Sequence, residues 1–208
     1  MIFVNPQSGK KNSLKVYNEM VQPMLNDFGI NHELIVTNRP KEAEDYLSKS
    51  QENLNEKYSS ILIISGDGLL FEVLQGLFNR PNFQAKSLPI GIIPTGSGNG
   101  LARSLAYFSD QDFSLLSSSL SIVKADKRPM DIMKVTTAKG ETLYSFLSIG
   151  YAFTSDIDIE SECLRFLVSV LMITLFEIFI FLLKINFDFP RKLSISLGVK
   201  TCENVVVL

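Results

Sequence analysis

The stretch ILIISGDGLLFEVLQGLF, residues 61–78, constrains the fold of this chain more than any other. Ile61 to Ile64 form a short uninterrupted apolar run, which signals a buried strand. Leu69, Leu70, Val73, Leu74 and Leu77 then recur at helical spacing. Between the two lies Ser65-Gly66-Asp67-Gly68, so a carboxylate stands between two glycines where a strand turns into a helix. The glycines let the backbone turn tightly and let a ligand come close. The unsatisfied N–H groups of a helix start favour an anion there. Alone, the pattern also fits a turn in which Asp67 only caps the helix; two further stretches argue against that.

Strand alternates with helix on both sides of this segment. Ile2-Phe3-Val4 reads as a strand and runs into the polar loop Asn5-Pro6-Gln7-Ser8-Gly9-Lys10-Lys11. Leu14, Val16, Tyr17, Met20, Val21 and Leu25 sit at roughly helical spacing, and Gly29 ends that helix. Residues 32–36 read as a second strand. Thr37-Asn38-Arg39-Pro40 reads as a cap leading into a helix over 41–50. A strand over 88–94 runs into Thr95-Gly96-Ser97-Gly98-Asn99-Gly100, and a helix follows over 101–107. Such alternation predicts βαβ units on a mostly parallel sheet. The pattern then changes. Residues 129–135 and 142–149 read as antiparallel strands joined by a turn at Lys139-Gly140, with further candidate strands at 193–197 and 205–208. The expected fold class is therefore an α/β N-terminal domain over 1–128, a mostly parallel sheet with flanking helices, plus an incomplete β-rich second domain over 129–208.

Composition excludes several functions. A net charge of −2 leaves no electrostatic footprint for nucleic acid. The two cysteines, Cys163 and Cys202, have no paired spacing, which argues for a reducing compartment or at least against a disulfide scaffold. His32 is the only histidine, so a zinc site is not expected and no metal-ligating residue is assigned. No basic segment precedes an apolar stretch at the N-terminus, so no signal peptide is visible.

Ligands of parallel sheets bind outside the carboxyl ends of the strands. Three loops here leave such ends: NPQSGK, SGDG and TGSGNG. Any one is an ordinary turn, and the lysine pair alone is an ordinary solvated face. Together they point to one shared phosphate site. No GxxxxGK[ST] occurs, and TGSGNG is not GxGxxG, so neither a Walker loop nor a Rossmann dinucleotide site fits.

The combination NPxSGK, SGDGLxxEVxxGL and PxGSGN resembles the lipid kinases related to diacylglycerol kinase, and among them most the sphingosine kinases. Diacylglycerol kinases usually carry Gly-Gly-Asp-Gly-Thr at the central motif, whereas this chain has Ser65 before Gly66 and Leu69 after Gly68. A further stretch, DIDIESE over 156–162 followed by Arg165, resembles the sphingosine kinase pattern ADxDxESExxR. The resemblance runs from Ile2 to about Arg165.

It implies a catalytic domain that uses ATP with Mg2+ and a sphingoid-base lipid substrate met at a membrane surface. Asn5, Pro6, Gln7, Thr37, Glu72, Gly96, Ser97, Gly98 and Arg165 would contact nucleotide. Ser65, Gly66, Asp67, Gly68 and Asp158 would contact the lipid, with Asp67 as the base on its hydroxyl and Asp158 holding the cationic head group. A fixed anion is useful against an amine and wasted on neutral diacylglycerol. The acidic run could equally be an exposed polar face. Diacylglycerol or ceramide kinase, or an inactive truncated relative that only binds nucleotide or lipid, are the alternatives. In the family the second domain is considerably longer, and a second arginine follows about two turns after the first, where this chain has Leu171. The chain is therefore expected to be C-terminally truncated, and its oligomeric state is not legible.

Residues 167–183, LVSVLMITLFEIFIFLL, are nearly continuous apolar sequence with Glu177 inside. Membrane spans need about 20 mostly apolar residues. The family's amphipathic lid helix falls here, so a lid or buried helix is expected, with a membrane span as the alternative. The expected location is the cytoplasm with peripheral membrane association.

Overall fold

The computed structural model describes residues 1–80, 83, 88–125, 127–137, 140–148 and 199–207. The elements below lie in one compact unit, Met1–Leu147 with Leu197–Leu208. In chain order they are β1 (Ile2–Val4), α1 (Ser13–Val16), a π turn (Tyr17–Val21), α2 (Gln22–Asp27), β2 (Leu34–Val36), α3 (Glu42–Lys49), α4 (Leu54–Lys57), β3 (Ile61–Ser65) and α5 (Asp67–Phe78). Then follow β4 (Ile90–Pro94), α6 (Gly100–Phe108), α7 (Leu115–Lys124), β5 (Arg128–Thr136), β6 (Thr142–Ser145) and β7 (Val199–Val207).

The seven strands form one sheet in the order β2-β1-β3-β4-β7-β5-β6. The first four are mutually parallel. β7 runs parallel to β4 and antiparallel to β5, and β5 is antiparallel to β6. The sense of pairing therefore changes at β7, which is parallel to its neighbour β4 and antiparallel to its neighbour β5. The β-rich part shares hydrogen bonds with the parallel part through β7.

Burial explains the central strands. Every residue of β3 and β4 is buried, as expected for strands covered on both faces. Alternate side chains go to opposite sides. Phe3, Ile61 and Ile63 pack with Leu70, Val73, Leu74 and Leu77 of α5 and with Ala43 and Leu47 of α3. Ile2, Val4, Leu62 and Ile64 pack with Val16, Tyr17, Val21 and Leu25 on the other face. A Cβ at Gly76 would stand 2.8 Å from that of Leu47 and 2.9 Å from the Glu44 carbonyl oxygen, so a glycine lets α3 and α5 approach this closely.

The structure departs from the sequence reading in several places. The helix expected to end at Gly29 is interrupted by the π turn, and Pro23 sits at the start of α2, where a missing N–H is tolerated. α4 and α7 were not anticipated. α7 is rich in serine, a poor signal for helix, yet Ser114 caps it by accepting the Ser117 N–H at 3.0 Å. The Ser118 and Ser119 hydroxyls donate to carbonyls one turn back. Residues 37–40 do not cap α3 by a hydroxyl; instead the Glu42 carboxylate accepts the N–H groups of Asn38 and Arg39. The strand expected over 142–149 ends at Ser145. The strand expected at 205–208 is the end of β7, which begins at Val199. The candidate strand at 193–197 lies outside the described residues.

Gln75 joins the two parts of the sheet to its helical layer. It is buried in α5, donates Nε2–H to the Tyr144 carbonyl at 2.7 Å and accepts the Tyr144 N–H at 2.9 Å. Both backbone groups of Tyr144 on the outer edge of β6 are thereby paired. Gln75→Leu leaves both buried and unpaired, at about 1–3 kcal/mol for each group. Chemical denaturation should show a loss of several kcal/mol with an unchanged m-value; a loss below about 1 kcal/mol would contradict this role.

Candidate functional site

Because β1, β2, β3 and β4 are parallel, the loops leaving them lie at one end of the sheet. The pairing register levels them: Val4 lies opposite Ile64 and Val36, and Ser65 opposite Pro94. The Thr95 N–H donates to the Ser65 carbonyl at 3.0 Å, which carries the ladder one step into the loops.

The three glycine loops then touch backbone to backbone. A Cβ on Gly96 would overlap Gly66 Cα and stand 2.9 Å from the Gly66 nitrogen. Gly9 adopts φ +51°, and a Cβ on it would overlap the Thr95 carbonyl oxygen. Glycine is required at both positions for steric reasons, and at Gly9 for the backbone conformation too. Beneath them the buried hydroxyls of Ser13 and Thr95 share a hydrogen bond of 2.8 Å.

The third loop is closed by Asn99, a residue the sequence reading left without a role. Asn99 is buried and left-handed, at φ +55°, a conformation asparagine tolerates better than most residues. Its Oδ1 accepts the Gly96 N–H at 3.0 Å and its Nδ2 donates to the Gly96 carbonyl at 2.7 Å. This ring turns the chain into α6. Among the described residues, the N–H groups of Ser97, Gly98 and Asn99 have no protein acceptor.

Asp67 sits where the loops meet. It is the first residue of α5, and Gly66 precedes it in extended conformation. Its carboxylate does not cap its own helix. Oδ2 accepts the Gly100 N–H at 2.7 Å and Oδ1 accepts the Leu101 N–H at 3.2 Å, so Asp67 caps α6. A carboxylate at a helix N-terminus is favoured by both the N–H groups and the dipole. A Cβ on Gly98 would stand 3.5 Å from Asp67 Oδ2, and one on Gly68 would meet nothing within 4 Å. Asp67 is half-buried and Gly68 is exposed.

The other expected residues fall as follows. Asn5 and Pro6 are half-buried and Gln7 exposed; Asn5 Oδ1 accepts the Gln7 N–H at 2.8 Å, which shapes the first loop. Ser65 and Gly66 are buried in the strand end, while Ser97 and Gly98 are exposed. Thr37 is buried, and its hydroxyl lies 3.4 Å from the Val4 carbonyl oxygen, to which it donates. It ties the loop after β2 onto β1. Glu72 is half-buried one turn into α5, and its Oε2 is buried with no hydrogen-bond partner. Such an atom is an invitation to a donor from outside the protein. Asp158 and Arg165 lie outside the described residues. Among the described residues, no group of three or more His, Cys, Asp or Glu is placed to hold a metal ion by itself. Among the same residues, no helix is long and apolar enough to cross a membrane; residues 167–183 are not among them.

Bare loop N–H groups and glycines without side chains are the parts from which an anion-binding concavity is built, and here a carboxylate stands beside them. The model of the diacylglycerol kinase catalytic domain matches residues 1–135, and this chain belongs to that family. Within it the chain is similar to sphingosine kinases. It is 37% identical to sphingosine kinase 2 of Homo sapiens over 171 residues, which is 79% of this chain and 26% of that protein. It is 38% identical to sphingosine kinase 1 of Caenorhabditis elegans over 176 residues, covering 78% and 35% of the two chains. Against sphingosine kinase 1 of Rattus norvegicus the figures are 34% over 172 residues, 79% and 44%. The chain thus spans a quarter to under half the length of these relatives. The fold is that of a diacylglycerol kinase crystal structure from Bacillus anthracis str. Sterne, at a TM-score of 0.52 and 23% identity over 68% of this chain and 46% of that one.

Gly96→Ala should push the second and third loops apart. Overpacking of this kind costs about 1–3 kcal/mol, and thermal unfolding should register it together with loss of any nucleotide affinity. Wild-type affinity in this variant would contradict the contact between Gly66 and Gly96.

Proposed function

We propose that this chain is the catalytic part of a lipid kinase that transfers the γ-phosphate of ATP to the primary hydroxyl of a sphingoid base. The observation that carries the reading is the seat of Asp67, a carboxylate fixed on the α6 N-terminus at the junction of three glycine loops with unpartnered N–H groups. The similarity to sphingosine kinases supports the choice of substrate.

Phosphoryl transfer asks the protein mainly for positioning and charge stabilisation. In this reading, residues 5–7 and the Gly96-Ser97-Gly98 loop hold the phosphates, with Glu72 offering its unpartnered oxygen to the nucleotide. Thr37 holds the wall of the cleft from behind. ATP is accompanied by Mg2+, which supplies charge neutralisation on the phosphate oxygens; hard cations of this kind are held largely by substrate phosphate and water. Asp67 receives the proton of the lipid hydroxyl as that oxygen bonds to phosphorus and the bond to ADP breaks. A carboxylate has lone pairs enough to accept this proton while two N–H groups hold it. Residues 1–128 would bind the nucleotide, and residues 129–208 would contribute to the lipid-binding part. Asp158 would hold the cationic amine and Arg165 a nucleotide phosphate. A cytoplasmic protein that meets its substrate at the membrane surface fits this chemistry, because sphingoid bases reside in bilayers.

Labelled-ATP transfer by the chain, offered sphingosine, diacylglycerol and ceramide in mixed micelles, tests the reading. Transfer to sphingosine is expected, reduced about 10²- to 10⁴-fold by Asp67→Asn with ATP affinity nearly intact. Equal loss of transfer and of ATP binding would remove Asp67 as the base. Transfer to diacylglycerol or ceramide alone would change the substrate.

Asp158→Asn should raise KM for sphingosine more than for ATP. The reverse pattern would take Asp158 out of the lipid site.

A further inference from the structure

The N-terminus of α6 cannot itself serve a phosphate group, because its first two N–H groups are occupied by Asp67. A cation nevertheless stands on the same loop. Arg103, one turn into α6, donates Nε–H to the Gly98 carbonyl at 3.0 Å. Its guanidinium carbon lies 4.3 Å from the centroid of the Phe113 ring. The first contact fixes the side chain along the loop, and the second fixes the plane of the guanidinium from below. Both are unusual expenditures for an exposed arginine, which otherwise keeps its rotamer freedom.

The contacts leave the working end of the residue uncommitted. A guanidinium has five N–H donors, of which Nε–H alone is used here. No carboxylate lies within salt-bridge distance of Arg103 among the described residues. The Asp67 carboxylate, which borders Gly98, accepts backbone N–H groups instead. The guanidinium charge therefore has no ion-pair partner among the described residues. Its position along the loop is informative as well, since the carbonyl it holds belongs to Gly98, the glycine that borders the Asp67 carboxylate.

We infer that Arg103 is a phosphate-binding residue, held by Gly98 and Phe113 so that its terminal nitrogens serve the distal phosphates of the bound nucleotide. The inference rests on the kinase reading above. If Asp67 accepts the proton of the attacking hydroxyl, the phosphate that hydroxyl attacks lies beside Asp67 and hence beside Gly98. A planar fork fixed at that point matches phosphate oxygens in geometry as well as in charge. Phe113 is then a positioning residue that acts through Arg103.

Equilibrium binding of ATP and of AMP to the wild-type chain and to Arg103→Gln, Arg103→Lys and Phe113→Leu tests this. AMP keeps the base, ribose and first phosphate but lacks the distal ones. Arg103→Gln should weaken ATP about tenfold or more and AMP less than twofold, since charge-assisted contacts are lost only with the distal phosphates. Arg103→Lys should fall between, because the charge survives and the fork does not. Phe113→Leu should weaken ATP severalfold through the loosened guanidinium, and it keeps the inference testable should the Gln variant unfold. Equal losses for ATP and AMP would overturn the inference in favour of a role in loop shape alone, as would unchanged ATP affinity in Arg103→Gln. A wild-type chain that binds AMP and ATP equally would likewise overturn it while leaving the nucleotide site in place. No binding of either nucleotide would overturn the kinase reading and this inference together.

Discussion

Everything at the cleft depends on one contact that only glycine permits, the touching of the Gly66 and Gly96 backbones. It joins the carboxyl ends of β3 and β4 more closely than the inter-strand spacing of a sheet would keep two loops bearing side chains. Gly9 extends the same contact to the loop after β1 by resting on Thr95. The register makes this possible. Ser65 lies opposite Pro94 and Ile64 opposite Val4, so the three strands run out level with one another. A slip of one residue would turn every buried side chain of a strand to the wrong face. The alternating burial of Phe3, Ile61 and Ile63 on one side and Val4, Leu62 and Ile64 on the other holds that register in place.

From this contact follows the dual standing of Asp67. A structural cap and a chemical group are usually opposed explanations of such a turn, but here one carboxylate is suited to both. It holds the start of α6 through Gly100 and Leu101, and α6 in turn holds the carboxylate against rotation. The Asn99 ring on Gly96 fixes where α6 begins. A chemical group anchored to a helix end and a glycine junction loses little freedom on meeting its substrate, which is what positioning means in energetic terms. The further arginine at position 103 belongs to the same assembly, since it is anchored to the loop that Asn99 closes.

Much of this was legible in the sequence, for reasons of locality. An apolar run such as Ile61 to Ile64 reports its own burial, and a glycine-rich turn reports its own backbone. The parallel sheet, the helices on its two faces and the convergence of three loops follow from such signals. What was not legible is non-local. Asp67 could be seen to begin α5, but not to cap a helix 33 residues further on. Gln75 reads as an ordinary polar residue of α5, and only the folded chain shows that it completes β6 at Tyr144, 69 residues away. Thr37, expected to line a cleft, also donates to the Val4 carbonyl, a partner 33 residues away that its own segment does not reveal. α7 was obscured by its serines, whose hydroxyls find local partners that their identities alone do not reveal. The place of β7 between β4 and β5 lies furthest in sequence and was legible only as an apolar end.

The most direct test of a single phosphate cradle around Asp67 is a two-dimensional amide NMR titration of the chain with a non-hydrolysable ATP analogue and magnesium. The amides of Gly9, Gly66, Ser97, Gly98 and Asn99 should move together along one saturation curve, with Gly100 and Leu101 responding through Asp67. Separate saturation curves for the three loops would contradict the account, as would shifts confined to the opposite end of the sheet around His32 and Ile122.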